Sequence, residues 1–129
     1  MKRLLVLVVI LFIGLQSCEK ARESEIEMIS PEEMMERVET EEIQVIDVRS
    51  ASEFEDAHIF AAKNIILSES QSNSSHFDTL SKDKPIVIYG RDPKKTKMAI
   101  EILKNNGFKE VYELEGGIED WILLGGKVD

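Results

Sequence analysis

Short apolar runs alternate with amphipathic stretches along the chain, and this alternation predicts its elements. Strands are indicated where apolar and β-branched side chains cluster, and helices where apolar side chains recur every three or four positions. The pattern predicts strands at residues 27–29, 43–48, 64–67, 85–89 and 110–114, and helices from 31, at 51–57, around 77–80, at 94–106 and at 117–124. Strands and helices that alternate in this way are typical of an α/β domain with a parallel sheet, here of about five strands.

Local signals indicate where two of these helices begin and end. Ser30 is placed to cap the first helix, Pro31 suits its first position, and Glu33 completes the pattern of a capping box. Gly107 suits the left-handed residue that follows the helix at 94–106. We expect the apolar faces of the two helices to consist of Met34, Met35 and Val38 in the first, and of Met98, Ala99, Ile102 and Leu103 in the second.

The N-terminal segment has the pattern of an export signal. Lys2 and Arg3 precede an apolar run at 4–15, which is shorter than the ~20 residues that a membrane-spanning helix needs. The run ends in Leu15-Gln16-Ser17-Cys18, which resembles a bacterial lipobox and implies cleavage before Cys18 and attachment of lipid, such as palmitate, to its thiol. We therefore expect a signal peptide at 1–17, a tether at 18–26 and a folded domain at 27–129, held by lipid at the membrane of a bacterial cell envelope, outside the cytoplasm. A single-pass anchor and an ordinary secretory signal are the alternatives.

Acidic residues outnumber basic ones by 25 to 16, and the formal net charge is −9. Loss of Lys2 and Arg3 with the signal peptide takes this charge to −11. A charge of this sign repels nucleic acid, so we expect no nucleic-acid partner. Cys18 is the only cysteine, and His58 and His76 stand apart. The sequence therefore predicts no disulfide, no metal site and no cofactor.

Two groups of motifs resemble those of the rhodanese-like domains. The first group is similar to the family's D-V-R signature and the segments after it: Ile46-Asp47-Val48-Arg49, Glu53-Phe54, His58-Ile59 and Ala62-Lys63-Asn64-Ile65. The second is similar to the family's final segments: Gly107-Phe108, Val111-Tyr112, Leu114-Glu115-Gly116-Gly117-Ile118 and Trp121. The motifs follow in the family's order from about residue 26 onward. The resemblance implies one rhodanese-like domain with helices on both faces of its sheet.

The sequence departs from this family's pattern in the loop that carries its chemistry. The resemblance implies a cysteine directly after the strand at 85–89, whose thiolate carries sulfur as a persulfide, but this chain has Gly90 there. Pro93 stands where the family usually has glycine, and it has no N–H to donate. Phe60-Ala61 replaces the family's Pro-Gly, so we expect a different turn at that point. The prediction is therefore a chain without a catalytic residue and without sulfurtransferase activity.

Without a catalytic cysteine, the chain is predicted to be a binding or regulatory module. Lys94, Lys95 and Lys97 form a basic cluster where a helix begins, which suits a small oxyanion or an acidic peptide, and we expect a protein partner of unknown identity. The candidate site comprises Gly90, Arg91, Asp92, Pro93, Lys94, Lys95 and Thr96, with Asp47 and Arg49 supporting it by hydrogen bonds that brace the neighbouring loops. Two alternatives stay open. One is a sulfurtransferase-related enzyme that uses Asp92, Thr96 or a partner's thiol, and the other is a purely structural lipoprotein.

Overall fold

A computed structural model of the chain describes residues 25–68 and 74–129. The predicted signal peptide, Cys18 and all but the end of the predicted tether lie outside these residues. The strands are β1 (Glu27–Ile29), β2 (Gln44–Asp47), β3 (Lys63–Asn64), β4 (Ile86–Tyr89) and β5 (Val111–Leu114). The helices are α1 (Pro31–Val38), α2 (Ala51–Asp56), α3 (Pro93–Asn105) and α4 (Gly117–Leu123), with a 3₁₀ helix at Ser74–Phe77. Within the described ranges, no helix combines the length and the apolar composition that crossing a bilayer requires.

The five strands form one parallel sheet in the order β1-β5-β4-β2-β3. β4 lies at its centre, and all four of its residues are buried. A strand covered on both faces needs an unbroken apolar run, and Ile86-Val87-Ile88-Tyr89 supplies one. The predicted α/β class with a five-stranded parallel sheet is confirmed.

Side chains of successive strand residues divide the core into two layers, because they point to opposite faces of the sheet. On one face, Ile46, Ile86 and Ile88 pack with α3 and the 3₁₀ helix. On the other face, Val45 and Val87 pack with α1 and α4. Helices therefore cover both faces, as the resemblance implied.

Two predicted helix faces and one predicted strand need correction. Val38 is 45% exposed, whereas Met34 on the same helix is 1% exposed. On α3 the buried residues are Thr96, Ala99, Ile100 and Leu103, while Met98 and Ile102 lie at the rim of the core. The sheet contacts only a narrow stripe of α3, and periodicity did not indicate which stripe. β3 has two residues rather than the four predicted, and Ile66 beyond it is exposed.

The predicted helix ends agree well with the structure. The Ser30 hydroxyl accepts a hydrogen bond from the Glu33 N–H at 3.1 Å, and Pro31 is the first residue of α1. Gly107 follows α3 with φ of 86°. A complete capping box occurs instead at Ser50 and Glu53, at the start of α2, where it was not predicted.

The turn at Phe60-Ala61 has an unusual backbone. Ala61 has φ of 62°, the left-handed region that favours glycine. Phe60 is exposed, and the Lys127 ammonium lies 3.5 Å from its ring centroid. The final residues pair with this turn, because the Phe60 N–H donates to the Lys127 carbonyl and Ile59 bridges to Val128. The turn is thus held by the chain's last residues.

Candidate functional site

The candidate site lies at the carboxyl ends of β2 and β4. These strands are neighbours, and the helices that follow them, α2 and α3, pack on opposite faces of the sheet. In an open parallel sheet such a divergence leaves a crevice between the two strand ends, where ligands usually bind. Arg49 follows β2 and Gly90 follows β4, so the structure brings both predicted segments to this crevice.

Asp47 and Arg49 form a buried ion pair. Asp47 is fully buried and Arg49 is 8% exposed. The Arg49 Nη2 donates to Asp47 Oδ2 at 2.7 Å and to the Ala57 carbonyl at 2.7 Å. Burial disfavours the guanidinium charge, but the hydrogen bonds and charge of Asp47 outweigh it and raise the pKa of Arg49. The pair ties β2 to the residue that ends α2 and so braces the loop between them.

Tyr89 and Asn64 complete this buried network, and sequence reasoning missed both. The Tyr89 hydroxyl accepts a hydrogen bond from the Ile59 N–H at 3.1 Å, and its ring lies 5.3 Å from the Arg49 guanidinium carbon. Burial, together with the nearby Asp47 carboxylate, raises the pKa of Tyr89. The Asn64 amide donates to the carbonyls of Asp47 and Arg49. The sequence did offer one signal for Tyr89: a tyrosine at the end of a buried strand needs a hydrogen-bond partner for its hydroxyl.

Gly90 is enclosed by its neighbours. A Cβ at this position would lie 2.6 Å from Val48 Cγ2 and 3.2 Å from Thr96 Cγ2. Val48 is 1% exposed, and its N–H donates to the Tyr89 carbonyl at 3.0 Å, so its position is well defined. Gly90 therefore fits because it has no side chain, and Val48 occupies the space that one would need.

The N-terminus of α3 is capped from within by Asp92. The Asp92 carboxylate accepts a hydrogen bond from the Lys94 N–H at 2.9 Å. The backbone carbonyl of Asp92 accepts hydrogen bonds from the N–H groups of Lys95 and Thr96, and Pro93 has no N–H to donate. The Thr96 hydroxyl is also turned inward, to the carbonyls of Asp92 and Pro93. The first backbone donors of the helix are thus engaged by the chain itself.

Lys94 and Lys95 border a groove beside this capped end. The groove has a volume of about 500 Å³ and is lined by Ile66, Leu67, Ser68, Asp92, Lys94, Lys95 and Met98. Its floor is apolar and its rim carries two ammonium groups. Lys97 lies elsewhere on α3 and is 3.9 Å from Glu101. The predicted basic cluster therefore divides, with two lysines at the groove and one on an exposed helix face.

Arg91 links the loop to the helices on either side. Its Nε lies 3.2 Å from Glu53 Oε1 on α2, and its Nη2 lies 3.4 Å from Glu119 Oε1 on α4. The Ser50 hydroxyl and N–H donate to Glu53, and these hydrogen bonds, with the charge of Arg91, lower the pKa of Glu53. Arg91 is 71% exposed, so each contact is a weak surface pair.

Other candidate features lie apart from the loop. His58 stacks on Phe54 with ring centroids 3.7 Å apart, and its Nδ1 is 2.8 Å from the Phe54 carbonyl oxygen, so it packs the turn after α2. A cavity of about 160 Å³ lies at the far end of α3, between Phe77 and Phe108. In the described part of the chain, no group of three or more potential ligand residues could hold a metal ion.

Comparisons with known proteins agree with this architecture. The model of the family described as the rhodanese-like domain matches residues 30–124. The chain is 39% identical to the uncharacterised protein YqhL of Bacillus subtilis over 85 residues, which are 66% of this chain and 63% of YqhL, less than two thirds of that protein. It is 34% identical to thiosulfate sulfurtransferase GlpE of Coxiella burnetii over 93 residues, 72% of this chain and 84% of that protein.

Solved structures show the same fold. The BH2092 protein of Bacillus halodurans is 30% identical and superimposes with a TM-score of 0.67, covering 80% of this chain and 76% of that one. A thiosulfate sulfurtransferase of Pseudomonas aeruginosa is 26% identical with a TM-score of 0.66, covering 80% of this chain but only 20% of that protein.

Proposed function

Because this chain belongs to the family of rhodanese-like domains, we propose that it is a non-catalytic member, a binding or regulatory module at a bacterial cell envelope. The observation that carries the proposal is Gly90. The resemblance implies that the family's sulfur-carrying cysteine stands at this position, and Gly90 has no atom that could hold a persulfide. Cys18, the only cysteine of the chain, lies far from it in sequence.

The packing around the loop supports the same conclusion. A persulfide needs room for a side chain and N–H groups that stabilise its charge. Val48 fills the space that a side chain at position 90 would need, and Asp92 already accepts hydrogen bonds from the N–H groups of Lys94, Lys95 and Thr96. A mutation to cysteine alone would therefore not create a working site.

A sulfur-transfer assay tests the absence of catalysis. We expect the chain to transfer no sulfur from thiosulfate to cyanide above the blank, under conditions in which GlpE of Coxiella burnetii is active. Gly90→Cys should restore little, and adding Pro93→Gly should restore more, because it supplies an N–H and relaxes the loop. Activity that persists in Cys18→Ala but is lost in Asp92→Asn or Thr96→Val would contradict the proposal and favour an alternative nucleophile.

The binding activity we propose belongs to the groove beside α3. Lys94 and Lys95 supply positive charge, and Ile66 and Met98 supply apolar contact. An acidic peptide could use both, whereas a bare oxyanion could use only the charge, since the backbone donors are engaged. We therefore favour an acidic, partly apolar segment of a protein partner over a small oxyanion.

Amide shifts measured by NMR at low salt test this assignment. A glutamate- and leucine-containing peptide should shift residues 90–98 at lower concentrations than phosphate, sulfate or thiosulfate. Lys94→Ala with Lys95→Ala should abolish the shifts. Lys97→Ala with Lys109→Ala removes the same charge outside the groove and should preserve them. If residues 90–98 do not respond to either kind of ligand, the groove is not the binding site.

Anchoring through Cys18 is the remaining part of the proposal. The segment Leu15-Gln16-Ser17-Cys18 supports it. We expect the mature chain to begin at Cys18, to carry fatty acid and to partition into detergent, because two or three acyl chains give lasting membrane attachment. Mass spectrometry of the protein from its membrane fraction measures this, with Cys18→Ala as the unprocessed control. An unmodified Cys18 would rule the anchor out.

A further inference from the structure

α4 ends in apolar side chains that the core does not use. Its buried face consists of Ile118 and Trp121. Ile122 and Leu124 are 47% and 48% exposed, and Leu123 is 81% exposed, the highest value among the large hydrophobic residues of the described chain. Single apolar residues on a surface are ordinary, but Leu123 and Leu124, at the end of α4 and directly after it, line one groove and so form a patch. Such patches commonly mark a contact surface.

Leu123 and Leu124 line a shallow groove with an acidic rim. The groove has a volume of about 330 Å³, and Pro31 and Glu32 at the start of α1 form its other side. Glu115, after β5, and Asp120, on α4, complete the lining. The three carboxylates are exposed, and within the described residues none of them has an ion pair or a side-chain hydrogen bond. None of the lining residues is basic.

We propose that this groove docks a segment of a partner protein in which large apolar side chains are flanked by lysine or arginine. The apolar side chains would cover Leu123 and Leu124, and the cations would meet Glu32, Glu115 and Asp120. The net charge of −9 attracts such a segment over a distance and makes two copies of this chain repel each other. A basic partner is thus a better match than a second copy.

This surface is separate from the groove proposed above. α4 packs on one face of the sheet and α3 on the other. The two grooves share no lining residue, and their charges are opposite. Occupation of one therefore leaves the other open, and variants of either can be tested independently.

Fluorescence anisotropy with a labelled amphipathic peptide tests the proposal. The probe is a short peptide of leucine and lysine at helical spacing, titrated with the full-length chain, and its control is a scrambled peptide of the same composition. We expect Leu123→Ser, and separately Glu115→Gln with Asp120→Asn, to weaken binding about tenfold or more. Glu36→Gln with Glu39→Gln removes the same charge from the exposed end of α1 and the residue that follows it, and should change the affinity less than about twofold.

Each other outcome overturns the proposal. If the scrambled peptide binds equally well, or the Glu36 and Glu39 control weakens binding as much as the groove variant, only the overall charge is being measured. If Leu123→Ser binds normally, the apolar patch is not used. Thermal unfolding confirms that Leu123→Ser is folded. If sedimentation shows that the chain alone self-associates and that Leu123→Ser abolishes this, the patch belongs to a second copy.

Discussion

Gly90 should not tolerate even a methyl group. In Gly90→Ala the new Cβ would lie 2.6 Å from Val48 Cγ2, whereas ordinary contact begins near 3.4 Å, and Thr96 Cγ2 limits movement on the other side at 3.2 Å. Val48 has few alternative rotamers because it is β-branched, and it is buried. Overpacking of this kind costs about 1–3 kcal/mol, so we expect Gly90→Ala to lower the free energy of unfolding by about 2 kcal/mol.

A double-mutant cycle with Val48→Ala tests the cause. Val48→Ala alone should cost about 2 kcal/mol, through lost burial and the cavity it leaves. In the double mutant the new methyl group occupies part of that cavity, so the coupling should be favourable by about 1–2 kcal/mol. Urea unfolding measures this, followed by the fluorescence of Trp121, which is the only tryptophan and is 5% exposed.

Gly107→Ala and Val111→Ala are the controls. Gly107 has φ of 86°, and a Cβ at this position would have no other atom within 4 Å, so its substitution reports backbone strain without overlap. Val111 pairs with Ile86, at the opposite end of β4 from Gly90, so it should not couple to Gly90→Ala. A wild-type urea midpoint for Gly90→Ala, or effects of Gly90→Ala and Val48→Ala that simply add, would show that Val48 does not exclude a side chain at position 90.

Three further substitutions probe the structure around the site. Ala61→Gly should raise the thermal midpoint, with a gain of about 0.5–1 kcal/mol, because φ of 62° strains alanine; a lower midpoint would contradict this. Asp47→Asn should cost about 3–5 kcal/mol in urea unfolding, because it leaves Arg49 buried without its carboxylate, and a loss below 1 kcal/mol would show that the pair is unimportant. Burial raises the pKa of Tyr89, so the folded state holds the phenol proton more tightly than the unfolded state does. The stabilisation from this difference is complete below about pH 10, where both states are protonated, and is lost as the pH rises further. Tyr89→Phe should therefore make stability fall less steeply above about pH 10, and an unchanged slope would be evidence against this role.

The elements with strong local signals could be predicted from the sequence. Ser30 and Pro31 predicted the start of α1, and the apolar run before Gly90 predicted the strand that the structure has as β4. The helix predicted from residue 117 begins there, after Gly116, whose φ of 68° is one that glycine adopts readily. Such signals act between residues that are close in the sequence, so they favour a helix or a strand even before any tertiary contact forms. The motifs and their order also predicted the fold, and the absence of a cysteine after β4 could be read directly.

The surroundings of the site were decided by the tertiary structure. Val48 lies 42 positions before Gly90 in the sequence, yet it occupies the space that a side chain there would need. The cap of α3, by contrast, is a local feature, because Asp92-Pro93 has the same pattern as Ser30-Pro31. The set of α3 residues that reaches the core and the exposure of Leu123 depend on how each helix is rotated against the sheet. Local propensity determines which segments become helices and strands, whereas only packing between distant segments determines which side chains of these elements meet.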